Sequence, residues 1–186
     1  MTAQIHDHIR FNKEYYSLVG VAGSPLVTPE QFGVESEMHC TACHRGFYVT
    51  YDLTDSGFYL RDLTVSRWEM DYTPIDGILP ESKNEDDYPT YRNLNIPVPF
   101  TGQLRLATGF IDYLYVHMGF QSPTSFRTVY DLTLENGRMV KLENRSKDMA
   151  WKRVCGFMCR PFRFLISVIQ KDDGISKSFT LDMDKA

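Results

Sequence analysis

The stretch "GFYVTYDLTDSGFYL", Gly46 to Leu60, decides the fold class. Phe47, Val49, Tyr51 and Leu53 alternate with Tyr48, Thr50, Asp52 and Thr54. Period-two alternation puts the apolar side chains on one face of a strand. Asp55-Ser56-Gly57 then supplies a turn. A second stretch, "SFRTVYDLTLENGRMV", Ser125 to Val140, has the same plan. Phe47 matches Phe126, and Tyr51-Asp52-Leu53-Thr54 matches Tyr130-Asp131-Leu132-Thr133. Gly57 matches Gly137 after one extra residue. In the second unit Phe126, Tyr130 and Leu132 share a face, and Asn136-Gly137 is a strong hairpin turn because both residues tolerate positive φ.

Working upstream, Leu26 and Phe32 align with Leu104 and Phe110, and His39 falls opposite His117. These matches indicate an internal duplication, with units near 24–65 and 102–144. An isolated hairpin is marginal in water, so two related hairpins must pack or pair with added strands. The expected fold is therefore mainly β (α+β). Internally duplicated antiparallel β-hairpin units form a rolled sheet, barrel or sandwich, followed by a C-terminal helical segment.

The remaining sequence fits around the hairpins. Tyr15 to Val27 reads as two short strands with a glycine-rich turn, and Leu60 to Met70 continues the first hairpin. Residues 76–91 hold an acidic loop, and Val98 to Ala107 reads as a strand. Gly109 to Met118 fits helix or strand equally. Ser146 is the expected cap of a helical segment over about 146–170, which Pro161 should break, and Ser178 to Met183 reads as a last strand.

The chain of 186 residues is read as a single domain, 1–186, large enough to bury a core without a metal or disulfide. A net charge of -4 argues against general nucleic-acid binding. The N-terminus carries charges and histidines where a signal peptide needs an apolar stretch, and no apolar run has the length of a membrane-spanning helix. A cytoplasmic location is expected, where the four cysteines are thiols or metal ligands.

The sharpest chemical motif is "MHCTACHRGF", Met38 to Phe47. Cys40-Thr41-Ala42-Cys43-His44 has the spacing of a c-type haem attachment site, but the strand context and absent export signal disfavour haem. Zinc is the second reading. Cys40 and Cys43 would supply two ligands, and His39, His44, Cys155 or Cys159 the others. The favoured reading has no cofactor, because cysteine is among the most buried residue types and packs as a small hydrophobe.

Asp52 and Asp131 would form an acid-base pair if the pseudo-symmetry brought them together. His117 is a candidate base or ligand in a barrel mouth. "WKRVCGFMCRPFR", Trp151 to Arg163, interleaves basic and aromatic residues, so Trp151 and Arg160 are candidate binding residues. The chain shows no phosphate loop, serine nucleophile elbow or His-Glu-x-x-His helix.

The function expected from these features is a non-catalytic binding or interaction protein with a protein partner. An immunity or regulatory partner in bacteria fits the size and acidity, and association with a second copy is compatible with them. The alternatives are a small-molecule enzyme of isomerase or lyase type inside a rolled sheet, with a deep apolar pocket, and a zinc-stabilised domain.

Overall fold

A computed structural model describes residues 2–38, 40–66, 72–82 and 88–158. Both sequence-predicted hairpins form. The first joins β3 (Phe47–Thr54) to β4 (Gly57–Val65), and Phe47, Val49, Tyr51 and Leu53 are all buried, as their alternation requires. The second joins β8 (Phe126–Glu135) to β9 (Arg138–Asn144). Its tip, Asn136-Gly137, has φ of 49° and 76°, the two positive angles of a tight hairpin turn.

An unanticipated hairpin opens the chain. β1 (His8–Phe11) turns through Asn12 and Lys13, both at positive φ, into β2 (Glu14–Gly23). The two strands expected between Tyr15 and Val27 are this one strand. Gly20 is not a turn: it faces Arg105 across the sheet, and a Cβ there would lie 3.2 Å from the Arg105 Cβ. The glycine permits close strand approach beside a bulge at Val19, between Leu18 and Gly20.

β5 (Thr90–Tyr91) and β6 (Ile96–Pro97) both pair with β4, and β7 (Gly102–Phe110) runs between β2 and β8. The strand order is β5-β4-β3-β1-β2-β7-β8-β9 in one sheet. It is mixed rather than purely antiparallel, because β1 lies parallel to β3. Parallel pairing needs a long crossover, which residues 24–46 provide. Here the two repeat units diverge. The matching stretch of the second unit is the strand β7, whereas the first has an irregular connection with a 3-10 turn at Pro29–Phe32.

The sheet rolls without closing into a barrel. Instead, the segment after β6 bridges the hairpin tips. The Val98 N–H donates to Phe58 O and the Gly137 N–H to Phe100 O. The inside of the roll is filled by Ile9, Tyr51, Phe58, Leu60, Phe100, Leu104, Leu106, Leu132 and Leu134 among others.

The expected helix is α1 (Ser146–Met158). Its Met149 packs with Ala107, Phe126 and Val129 in a second, smaller cluster. Ser146 is not its cap: the Asn144 Oδ1 accepts the Ser146 N–H, and the Ser146 hydroxyl accepts the Val129 N–H on β8. The expected break at Pro161 and the last strand, Ser178 to Met183, lie outside the described residues.

Candidate functional site

The cysteine motif forms a turn clipped to the N-terminal segment. The Cys43 N–H donates to Cys40 O at 3.1 Å, and the Gly46 N–H to Cys43 O at 3.1 Å. Gly46 has φ of 73°, and a Cβ there would lie 2.4 Å from Glu37 O, so only glycine fits. The Gln4 side chain spans the turn, donating to Thr41 O at 2.7 Å and accepting the His44 N–H at 3.0 Å. The Ile5 N–H donates to Ala42 O. Arg45 makes a two-pronged ion pair with Asp7, at 2.7 and 3.0 Å, and lies over the Phe47 ring. Asp7 also accepts the Val49 N–H.

The two thiols have different surroundings. Cys43 is buried with its sulfur 3.5 Å from Phe47 O, and burial pushes its thiol up. Cys40 is half-buried; a hydrogen bond with the Tyr88 hydroxyl holds its thiol below the ordinary value. The same bond pushes the Tyr88 phenol up to about 12.

Among the described residues, no three His, Cys, Asp or Glu side chains converge as a metal site. Cys155 sits on α1, the His44 side chain is exposed, and His39, Cys159 and Arg160 lie outside the described residues.

His6, unanticipated from sequence, joins two parts of the fold. Its Nδ1 lies 3.2 Å from Leu18 O, and its Nε2 accepts the Gln121 N–H at 3.3 Å. Only the neutral ring protonated on Nδ1 satisfies both bonds. Burial lowers its pKa accordingly.

The repeat-related carboxylates do not come together. Three strands, β1, β2 and β7, lie between Asp52 on β3 and Asp131 on β8, and the two positions are offset along the strands: Asp52 pairs with Arg10 opposite Tyr15 on β2, whereas Asp131 pairs with Arg105 opposite Gly20. Each is instead clamped by two arginines. Asp52 accepts from Arg10 on both oxygens and from Arg61 at 3.0 Å. Asp131 accepts from Arg105 at 2.6 and 2.8 Å and from Arg145 at 3.2 Å. Burial raises the Asp131 pKa, but these guanidiniums outweigh it and hold the carboxyl below its usual value. A carboxylate so held is a poor proton acceptor.

His117 and Trp151 are both exposed, His117 in a loop rich in large apolar side chains and Trp151 on α1. Tyr113, Tyr115, Val116, His117 and Met118 all project from the loop after β7, with Tyr113 76% exposed. The loop is held from behind: Gln121 bonds both the N–H and the carbonyl of Val116, and the Ser125 hydroxyl donates to Leu114 O. Next in sequence, the 3-10 turn Pro123–Ser125 carries α1, with Arg153 donating to Thr124 O and Phe126 O at 2.7 Å each. On that helix Trp151 is 70% exposed and Val154 is exposed beside it, three residues on.

A shallow cleft of about 330 Å³ lies at the hairpin tips, lined by Ser56, Tyr59, Pro97, Pro99, Asn136 and Arg138 among others. Its lining contains no His, Cys, Asp or Glu. No helix among the described residues is long and apolar enough to cross a membrane. Compared with known families, curated proteins and solved structures, the chain matches none.

Proposed function

We propose that the protein is a cytoplasmic, non-catalytic binding protein. Its contact surface is the aromatic platform of Tyr113, Tyr115, Met118 and Trp151, and its partner is another protein. The observation that carries this reading is the concentration of large exposed apolar side chains on a loop whose backbone is hydrogen-bonded by Gln121 at Val116. Aromatic and methionine side chains are enriched at protein interfaces, and a preorganised loop loses little entropy on binding. A regulatory or immunity role in bacteria is the finer form of this proposal. The alternative enzyme reading calls for a deep apolar pocket, whereas the centre of the roll is occupied by Tyr51, Phe58 and Phe100.

The test is cross-linking and mass spectrometry in cells with the full chain and a Tyr113→Ser/Met118→Ser/Trp151→Ser variant. Circular dichroism should show both folded, because exposed substitutions barely alter stability. A partner linked through residues 113–118 or 151–154, and lost in the variant, is expected. A partner retained equally by the variant would overturn the reading. Sedimentation of the purified chain reveals whether that partner is a second copy.

A further inference from the structure

We propose that Cys40 and Cys43 form a reversible dithiol/disulfide site, whose co-reactant is a low-molecular-weight disulfide. This inference stands on the Cys40–Cys43 turn alone and does not depend on the binding platform.

The geometry comes first. The hydrogen bond from the Cys43 N–H to Cys40 O closes a β-turn with the cysteines at its first and last positions. A β-turn brings those Cα atoms within about 7 Å. A disulfide spans roughly 4.4–6.8 Å between Cα atoms, so the turn holds the pair within bonding range without moving the backbone far. The turn is pinned on both sides, by Gln4 and Ile5 on one and by the glycine-only approach of Gly46 to Glu37 on the other. Little entropy remains to be lost on closing the ring.

The two sulfurs then divide the work. Cys40 is the accessible one and carries the Tyr88 hydrogen bond, which favours its thiolate. Cys43 is buried, with its sulfur against Phe47 O, and is shielded from external disulfides. The Cys40 thiolate attacks one sulfur of the incoming disulfide RSSR. A Cys40–S–S–R bond forms, the RS–SR bond breaks, and RS⁻ leaves with a proton taken from Cys43. The Cys43 thiolate then attacks the Cys40 sulfur and expels the second RS⁻, which takes up the proton that Cys40 lost to solvent. In sum, two thiols are oxidised to one disulfide and RSSR is reduced to two RSH.

The test uses the full chain, equilibrated with glutathione and glutathione disulfide at a series of ratios and then alkylated. The tryptic peptide Glu14–Arg45 contains these two cysteines and no others. It should pass from the doubly alkylated form to an internal disulfide lacking both thiol hydrogens, and return on reduction. In Cys43→Ser the intermediate cannot resolve, so glutathione should accumulate on Cys40. In Cys40→Ser, Cys43 should stay unmodified while the chain is folded. Three results would overturn the proposal. One is a peptide that stays fully alkylated at every ratio. Another is a bond from Cys40 to Cys155 or Cys159 in place of Cys43. The last is protection of both thiols by co-purified zinc that a chelator removes.

Discussion

Arg105 and Asp131 stand directly opposite each other on β7 and β8, with the Arg105 Nε 2.6 Å from the Asp131 Oδ1. Arg10 and Asp52 repeat this relationship on β1 and β3, although those strands are parallel and β7 and β8 are antiparallel. Each aspartate then collects a second arginine, Arg145 or Arg61. The same local solution thus recurs at repeat-related positions in different strand contexts.

Replacing Asp131 by Ala should therefore cost about 1 kcal/mol, since two arginines lose a shared, partly shielded partner. The urea midpoint at neutral pH checks this, and high salt should shrink the difference. Because the Asp131 carboxyl is held below its ordinary value, this stabilisation is present above the usual carboxylate range. It is lost as the pH falls through the depressed value. A salt-independent difference would show that packing, not charge, is at stake.

His6 makes stability depend on pH near neutrality. Its folded-state pKa lies below 6.5, so the unfolded chain binds the proton more readily. Stability should be full above 6.5 and should fall as the pH drops from there through the folded value. Protonation would also turn the Nε2 acceptor into a donor facing the Gln121 N–H. His8, likewise lowered by burial, acts in the same direction, while Asp7 opposes both shifts and Arg45 reinforces that of His6. Denaturation midpoints across this range should show a shallower slope in His6→Gln. An unchanged slope would remove His6 from the account.

Gly46 and Gly33 offer a controlled pair. Both have φ near 70°, but a Cβ on Gly46 would strike Glu37 O at 2.4 Å, whereas one on Gly33 meets nothing within 4 Å. Gly33→Ala should cost only the left-handed penalty, about 1 kcal/mol. Gly46→Ala should cost clearly more and should loosen the cysteine turn. Thermal unfolding of the two variants compares them directly, and equal costs would contradict the close approach.

Leu60 tests the filled interior. It is fully buried within the roll, so Leu60→Ala should cost about 3 kcal/mol, with the exact loss set by how far the cavity collapses. A loss below about 1 kcal/mol in urea titration would mean that the core there is loosely packed.

The hairpins were legible because alternation and turn chemistry act over a few residues. Phe47 to Leu53 and Asn136-Gly137 carry their own instructions. The β1–β2 hairpin was also written locally, in Asn12 beside a short alternating run, but that run was too brief to stand out. The cysteine pair was visible as a motif, with core packing as its favoured reading, but the Tyr88 partner of Cys40 was not, because it comes from a distant segment. The twin aspartates were visible as equivalents, but not their separation or their arginines.

Those features depend on which strands become neighbours. The sequence by itself determined the two repeat hairpins, the buried face of the first and the start of the terminal helix, since each follows from interactions within one turn or one strand pair. Tertiary structure alone decided that β1 slots parallel beside β3, that the sheet rolls without closing, and that Arg10 and Arg105 meet the two aspartates. Those outcomes arise because burying the apolar strand faces selects among many pairings that are equally compatible with local pattern.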